Sequence, residues 1–208
     1  MPTDFSKIKI PYLSNDELWK IADDVRLKYW GDKIPVDVDL IAEKGLDMQL
    51  TPCNSLKLVV HTEAFLAGTL DEILLDLTSP DVRIRFSLAE EIGHKILHPN
   101  QIELLRSTSF DDWRNTLNEL PASIWSRAEY QAKEFAGRLL VPKQNLIEAI
   151  KNYAPQIKKA IDEIPDLEID ALNPYLAGIV AKRFNVSHDV ISIRLNREKI
   201  NPMEICGL

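Results

Sequence analysis

Arg83-Ile84-Arg85-Phe86-Ser87-Leu88-Ala89-Glu90-Glu91-Ile92-Gly93-His94-Lys95-Ile96-Leu97-His98-Pro99 is the stretch on which the reading of this chain turns. Helix punctuation brackets it. Ser79-Pro80 reads as an N-cap with proline at the first helical position, and Pro99 cannot continue a helix. The helix expected over 80–97 sets Glu90 and His94 four residues apart, on one face and about 5–6 Å apart at Cβ. Glu91 lies about 100° around the helix, beside that face. Two metal-type ligands one turn apart with an acid alongside reproduce the layout of His-Glu-x-x-His, with the first histidine replaced by Glu90.

A site of this kind needs a third protein ligand and an open fourth position. The best candidate for the third is Glu129. It falls on a helix expected from Pro121 through Leu140 and closed by Pro142, with Ile124, Ala128, Ala132, Phe135, Ala136 and Leu139 as its apolar stripe. The small residues Ala132, Ala136 and Gly137 would let this helix press closely on the first. His94 and His98 are also four apart and form an alternative pair. In that pairing Lys95, not Glu91, takes the base position, and Pro99 ends the helix just beyond. Otherwise His98 is expected to cap the helix or to support a ligand from behind.

The two segments together resemble the ImmA/IrrE family of metallo-endopeptidases. There an Arg-Phe-Thr-Leu-Ala-His-Glu-x-Gly-His-x-x-x-His helix is followed by Glu-x-x-Ala-Asn-x-Phe-Ala-x-x-Leu-Leu-x-Pro. Arg85, Phe86, Leu88, Ala89, Glu91, Gly93, His94 and His98 match the first pattern. Glu129, Ala132, Phe135, Ala136, Leu139, Leu140 and Pro142 match the second. The resemblance extends over most of residues 15–200, from a capped helix and Pro-Val-Asp-Val-Asp-Leu-Ile-Ala to Ala181-Lys182-Arg183-Phe184-Asn185-Val186-Ser187 and Arg194-Leu195. It implies a zincin-like core in which His94 and Glu129 are the second and third metal ligands and Glu91 is the catalytic acid/base. It also implies a cytoplasmic protein acting on a helix-turn-helix repressor. Two positions depart from the pattern: Glu90 stands for the first histidine and Lys133 for the usual asparagine.

A Glu90–His94–Glu129 set carries a charge of −2, against −1 for His-His-Glu. That weakens a bound ion as a Lewis acid and tilts the choice from zinc toward manganese or another hard divalent ion, while the other reading of Glu90 is a family fold that has lost its metal. Glu90, Glu91, Glu129 and Glu134 would repel one another without a cation, which demands a metal or raises one pKa.

The rest of the chain bounds these readings. With 208 residues, 45% of them hydrophobic, it is large enough for a core without disulfides. A formal charge of −7 argues against nucleic-acid binding as the main task. Cys53 and Cys206 read as free thiols, no signal peptide or membrane span is expected, and cytoplasmic residence follows.

Ser14-Asn15-Asp16-Glu17 is a capping box opening a helix that stops near Gly31. A short helix over 36–44 is expected next, with Gly45 as its left-handed stop. Runs 46–51, 56–61, 64–69 and 72–77 read as strands of a small, mostly antiparallel sheet. Residues 100–120, with Trp113, read as looser, a possible flap. From about 144 the chain reads as helical, with Asn173-Pro174 and Ser187 as helix starts.

The expectation is therefore an α+β protein. A metallopeptidase-like domain occupies 1–150, and a helical, helix-turn-helix-like subdomain occupies 151–208. His61 reads as a surface or satisfied histidine and His188 as an exposed one, Arg83 and Arg85 as partners for nearby acids or as holders of a substrate carbonyl, and Trp19 and Trp30 as packing residues. The late position of Arg194 and Arg197, and Asp189 early in the last helix, argue for protein recognition over DNA contact. Two functions fit: a metal-dependent endopeptidase acting on a protein partner, or an inactive relative serving as a regulatory binding module in a repressor or toxin–antitoxin-like pair.

Overall fold

The computed structural model describes residues 8–54, 56–60, 62–105, 120–163 and 169–207. His61, Trp113 and the candidate flap over 106–119 lie outside the described residues. Two compact units divide the chain. The first comprises residues through Gly31 together with Asp37–Leu139; the second comprises Asp32–Val36 and the chain from Leu140 onward.

In the first unit, α1 (Asn15–Tyr29) opens on the expected capping box. Ser14 Oγ accepts from the Glu17 amide, and the Glu17 carboxylate accepts from the Ser14 amide at 2.8 Å. Its buried face holds Leu18, Ala22 and Val25, and Gly31 past its end takes φ +92°. The next helix is shorter than expected. α2 (Val38–Leu40), capped by Asp37, runs into a single π-helical turn over Ile41–Gly45. Gly45 is not a left-handed stop, since Asp47 takes the positive φ instead. A Cβ at Gly45 would stand 2.7 Å from Tyr29 Cγ, so this glycine is needed for close approach to α1.

The sheet is mixed, with one parallel and one antiparallel pairing, where a mostly antiparallel one was expected. β1 (Gln49–Cys53), β2 (Ala64–Leu66) and β3 (Glu72–Asp76) lie in the order β1-β3-β2. β1 runs parallel to β3 with Gln49 opposite Glu72, and β2 runs antiparallel to β3 with Ala64 opposite Leu75. Pro52 is tolerated because β1 is an outer strand. The run at 56–61 is not a strand: Leu56–Val60 forms α3. The Lys57 amide donates to the Asp76 carboxylate at the end of β3, a tertiary contact that anchors the first turn of this helix.

α4 (Asp81–Leu97) carries the opening stretch. Its N-cap is Pro80, without a side-chain cap, rather than Ser79. Leu88, Ala89, Ile92, Gly93 and His94 are buried, and the helix ends at His98, whose amide donates to the His94 carbonyl at 2.9 Å. Pro99 opens a further helix, α5 (Pro99–Leu105), where a looser segment was expected; proline fits a first helical turn because its missing N–H has no partner to lose there. α6 (Ala122–Leu140) follows, with Ala128, Ala132, Phe135, Ala136 and Leu139 buried as the apolar stripe predicts. Arg138 Nε donates to both Asp23 oxygens at 3.0 Å, and Tyr130 donates to Asn15 Oδ1 at 2.8 Å, tying α6 to α1.

The second unit is helical: α7 (Lys143–Asn152), α8 (Ala154–Glu163), α9 (Ile169–Phe184), α10 (His188–Arg197) and α11 (Pro202–Cys206). α9 begins before Pro174, which lies inside it, so Asn173-Pro174 does not start the helix. Asn185 at φ 52° makes the turn into α10, and Ser187 caps it by accepting from the Val190 amide. Leu146, Ile150, Phe184 and Ile191 are fully buried there. No helix among the described residues is long and apolar enough to cross a membrane.

Candidate metal centre

The site forms where α4 and α6 meet within the first unit, and Gly93 sets how closely they do. A Cβ at Gly93 would lie 3.1 Å from Phe135 Cδ1 and 3.2 Å from the Ala132 Cα and carbonyl oxygen. The crossing is thus Gly93 on Ala132, and it brings the next residue, His94, against Glu129 one turn back along α6. His94 Nε2 stands 3.3 Å from Glu129 Oε1. Glu90, His94 and Glu129 each offer one ligand atom, all within 4.8 Å of one another. Zinc or manganese bonds of about 2.1 Å place tetrahedral ligands about 3.4 Å apart, so small side-chain rotations close this set around one ion. The donors fit a divalent cation.

Glu91 sits beside the cluster, as its helical offset predicts. Its Oε2 accepts from the Leu66 amide of β2 at 3.1 Å. Glu134 does not join the acids: its carboxylate accepts from the Trp19 indole at 3.2 Å, which also gives Trp19 a polar role in addition to packing.

Lys133, one of the two departures from the family pattern, reaches into the cluster. Its Nζ lies 3.1 Å from Glu129 Oε2 and 3.6 Å from Glu90 Oε1, while about half of its side chain stays exposed. Burial, and after it the charge of Glu129, pushes the Glu90 carboxyl up to about 8, against the pull of Lys133. Burial also pushes Glu91 well above the usual carboxylate range, with Glu90 and Glu129 adding to it. Burial alone would raise Glu129, but the hydrogen bond and charge of His94, with Lys133, outweigh it and bring Glu129 to about 2. Burial works against the charge on Lys133, yet Glu90 and Glu129 hold its pKa above the ordinary lysine value. A cation is therefore favoured at this point, and the chain supplies one of its own.

Behind the cluster, the His94 ring lies parallel to Trp125, with an interplanar angle of 8° and centroids 6.1 Å apart. His94 Nδ1 meets His98 Nδ1 at 3.2 Å, and His98 Nε2 meets Gln131 Oε1 at 2.8 Å. Of the two pairings, the group of ligand atoms that converges is Glu90–His94–Glu129, while the two histidines face each other through their Nδ1 atoms. Burial pushes the His98 pKa down to about 4, keeping its ring neutral. Ile10, Ile102, Ile124 and Trp125 wall a small apolar recess against the two histidine rings.

Arg83 is not part of the cluster; its Nη1 is 4.0 Å from Glu63. Arg85 lies among Asp39, Asp37 and Asp81, and burial lowers its pKa while these acids oppose the shift. His188 is exposed beside Asp189, and Arg194 is buried against Glu198. Sequence reasoning missed Gln131 and Trp125 and did not see where the Lys133 ammonium would lie. Gln131 left a signal: it is a polar residue at a stripe position between Ala128 and Phe135.

No curated protein matches the chain in sequence. Among solved structures it is similar to a Mycobacterium tuberculosis transcriptional regulator, with a TM-score of 0.54 at 14% identity over 93% of this chain. The similarity spans 50% of that protein's chain. The model of the IrrE N-terminal-like domain, peptidase family M78, matches residues 69–196. That span is more than half of the 208 residues and contains Glu90, Glu91, His94 and Glu129 alike, so the chain belongs to the family of the IrrE N-terminal-like domain.

Proposed function

We propose that this protein is a metal-dependent, endopeptidase-like protein in which Glu90, His94 and Glu129 hold a divalent cation, zinc or else manganese, and Glu91 moves the protons. The observation that carries the reading is the convergence of the three side chains within 4.8 Å on two helices inside the matched family segment. When bound, the cation supplies Lewis-acid polarisation of a scissile carbonyl and a water of lowered pKa. Glu91 does the rest. With Oε2 held by the Leu66 amide, its Oε1 is the atom that takes a proton from the attacking water and returns it to the leaving amine. β2 is an outer strand of the sheet, the position at which an extended peptide adds to a sheet. The family resemblance, and a structural neighbour described as a transcriptional regulator, support a cytoplasmic helix-turn-helix repressor as the substrate.

Metal analysis of the purified protein, with Glu91→Gln as control, tests this. The expected result is stoichiometric zinc or manganese and cleavage of a partner repressor by the wild type alone. Absence of both, with either metal supplied, would overturn it.

A second reading rests on Lys133. An ammonium between Glu90 and Glu129 already supplies a cation, and an inactive regulatory binding module in a repressor or toxin–antitoxin-like pair needs no other. Lys133→Asn separates the two. If Lys133 merely competes with a metal it can swing away from, the variant binds zinc about tenfold more tightly and gains activity. If the site is a module, partner binding survives Glu91→Gln and His94→Ala, and Lys133→Asn brings no hydrolysis.

A further inference from the structure

From the hydrogen bonds behind His94 we infer that Gln131 and His98 are positioning residues, which fix the His94 ring with its Nδ1 protonated and its Nε2 turned to the acidic oxygens. The inference rests on the metal-site reading for its purpose but not for its geometry.

The chain of bonds starts from an acceptor that cannot be anything else. Gln131 Nε2 lies 2.7 Å from the Pro11 carbonyl oxygen. A carbonyl only accepts, so the amide nitrogen of Gln131 must face it and Oε1 must face His98. Oε1 also only accepts, so His98 Nε2, 2.8 Å away, carries the hydrogen. A neutral imidazole with hydrogen on Nε2 presents a lone pair at Nδ1. That lone pair faces His94 Nδ1 at 3.2 Å, so the hydrogen between the two rings belongs to His94. His94 Nε2 is left facing Glu129 Oε1 and the Glu90 side of the cluster, the atom and direction a metal needs.

Burial locks the arrangement. His98 and Gln131 are each 1% exposed, so water does not compete for these bonds. His98 is the C-cap of α4, and Gln131 is on α6, so the relay ties the tautomer of one ligand to the contact between the two helices. It also ends on Pro11, ahead of α1, so a segment distant in sequence shares in orienting the ligand.

Nitrogen-15 spectra of the labelled, metal-free protein read the relay without a metal or a substrate. His94 Nδ1 and His98 Nε2 are expected as protonated, pyrrole-like nitrogens, and His98 Nδ1 as an unprotonated, pyridine-like one. A pyridine-like His94 Nδ1 would overturn the inference. Zinc and manganese titrations of variants supply the second readout. His98→Leu and Gln131→Leu are expected to weaken metal binding about 10–100-fold. His98→Gln, which returns a carbonyl acceptor to His94, is expected to recover most of that loss. Equal losses in His98→Leu and His98→Gln, both still folded by circular dichroism, would count against a positioning role. If the wild type binds neither metal while the spectra show the expected tautomers, the metal reading fails and the relay stands.

Discussion

Two buried charge clusters, one in each unit, are built on opposite principles. In the second unit, Arg194 and Glu198 are one turn apart at the end of α10, both nearly inaccessible and bonded to each other, with Lys143 Nζ 3.8 Å from the second Glu198 oxygen. Both partners of this pair lie within the second unit. In the first unit, Glu90, Glu91 and Glu129 crowd around one imidazole and one half-exposed ammonium. A closed pair serves structure. A cluster in which carboxyl groups outnumber cations and shift one another's pKa is of the sort that concentrates at functional sites.

Breaking one member of the closed pair should have the largest effect on stability. Arg194→Met takes the bonded guanidinium away from the buried Glu198 carboxylate, and a loss of about 3–5 kcal/mol is expected in chemical denaturation. The double change Arg194→Met with Glu198→Leu should recover most of it. If the single change costs no more than the double one, the pair is not the closed unit described here.

The open cluster depends on how closely two helices approach, and Gly93→Val tests that. Branched carbons at Gly93 would collide with the Ala132 backbone and Phe135, so α4 and α6 must separate. A loss of about 1–3 kcal/mol is expected, together with loss of metal binding, since Glu129 would move from His94. Retained metal affinity would show that the crossing does not set the site.

The last effect, of similar size, is the dependence of stability on pH, and it arises in the open cluster. The Glu90 carboxyl has a folded-state pKa of about 8 against an ordinary 4.5. The folded protein therefore holds a proton that the unfolded chain releases. This contribution is complete below about 4.5 and is lost as pH rises through 8. Glu129, lowered to about 2, acts in the other direction, and its contribution fades only as pH falls from 4.5 toward 2. Raising the pH from 6 to 8.5 should thus cost the metal-free protein about 2 kcal/mol. In Glu90→Gln most of that slope should vanish, and a saturating divalent ion should remove it as well. Thermal melts across the range check this; an unchanged slope in Glu90→Gln would remove Glu90 as its cause.

What could be read directly from the sequence was what neighbouring residues decide among themselves. The proline at 99, the spacing of Glu90 and His94, the Ser14–Glu17 box and the stripe on α6 act over one or two turns, and the structure bears out these elements. The pairing of Glu90 with His94 was legible for the same reason, since i and i+4 share a face on any helix, whereas Glu129 on another helix was reached through the family resemblance. Leu56–Val60 was not legible: a five-residue apolar run suits a strand or a helix, and an Asp76 carboxylate nineteen residues away anchors its first turn. The parallel pairing of β1 with β3 likewise came from chain crossing, not from pattern. Tertiary structure alone placed the Lys133 ammonium between two carboxylates and ran the hydrogen-bond relay from Pro11 to His94. Charge balance and tautomer depend on distances between segments that meet only when the chain is folded, and residue spacing carries no measure of those.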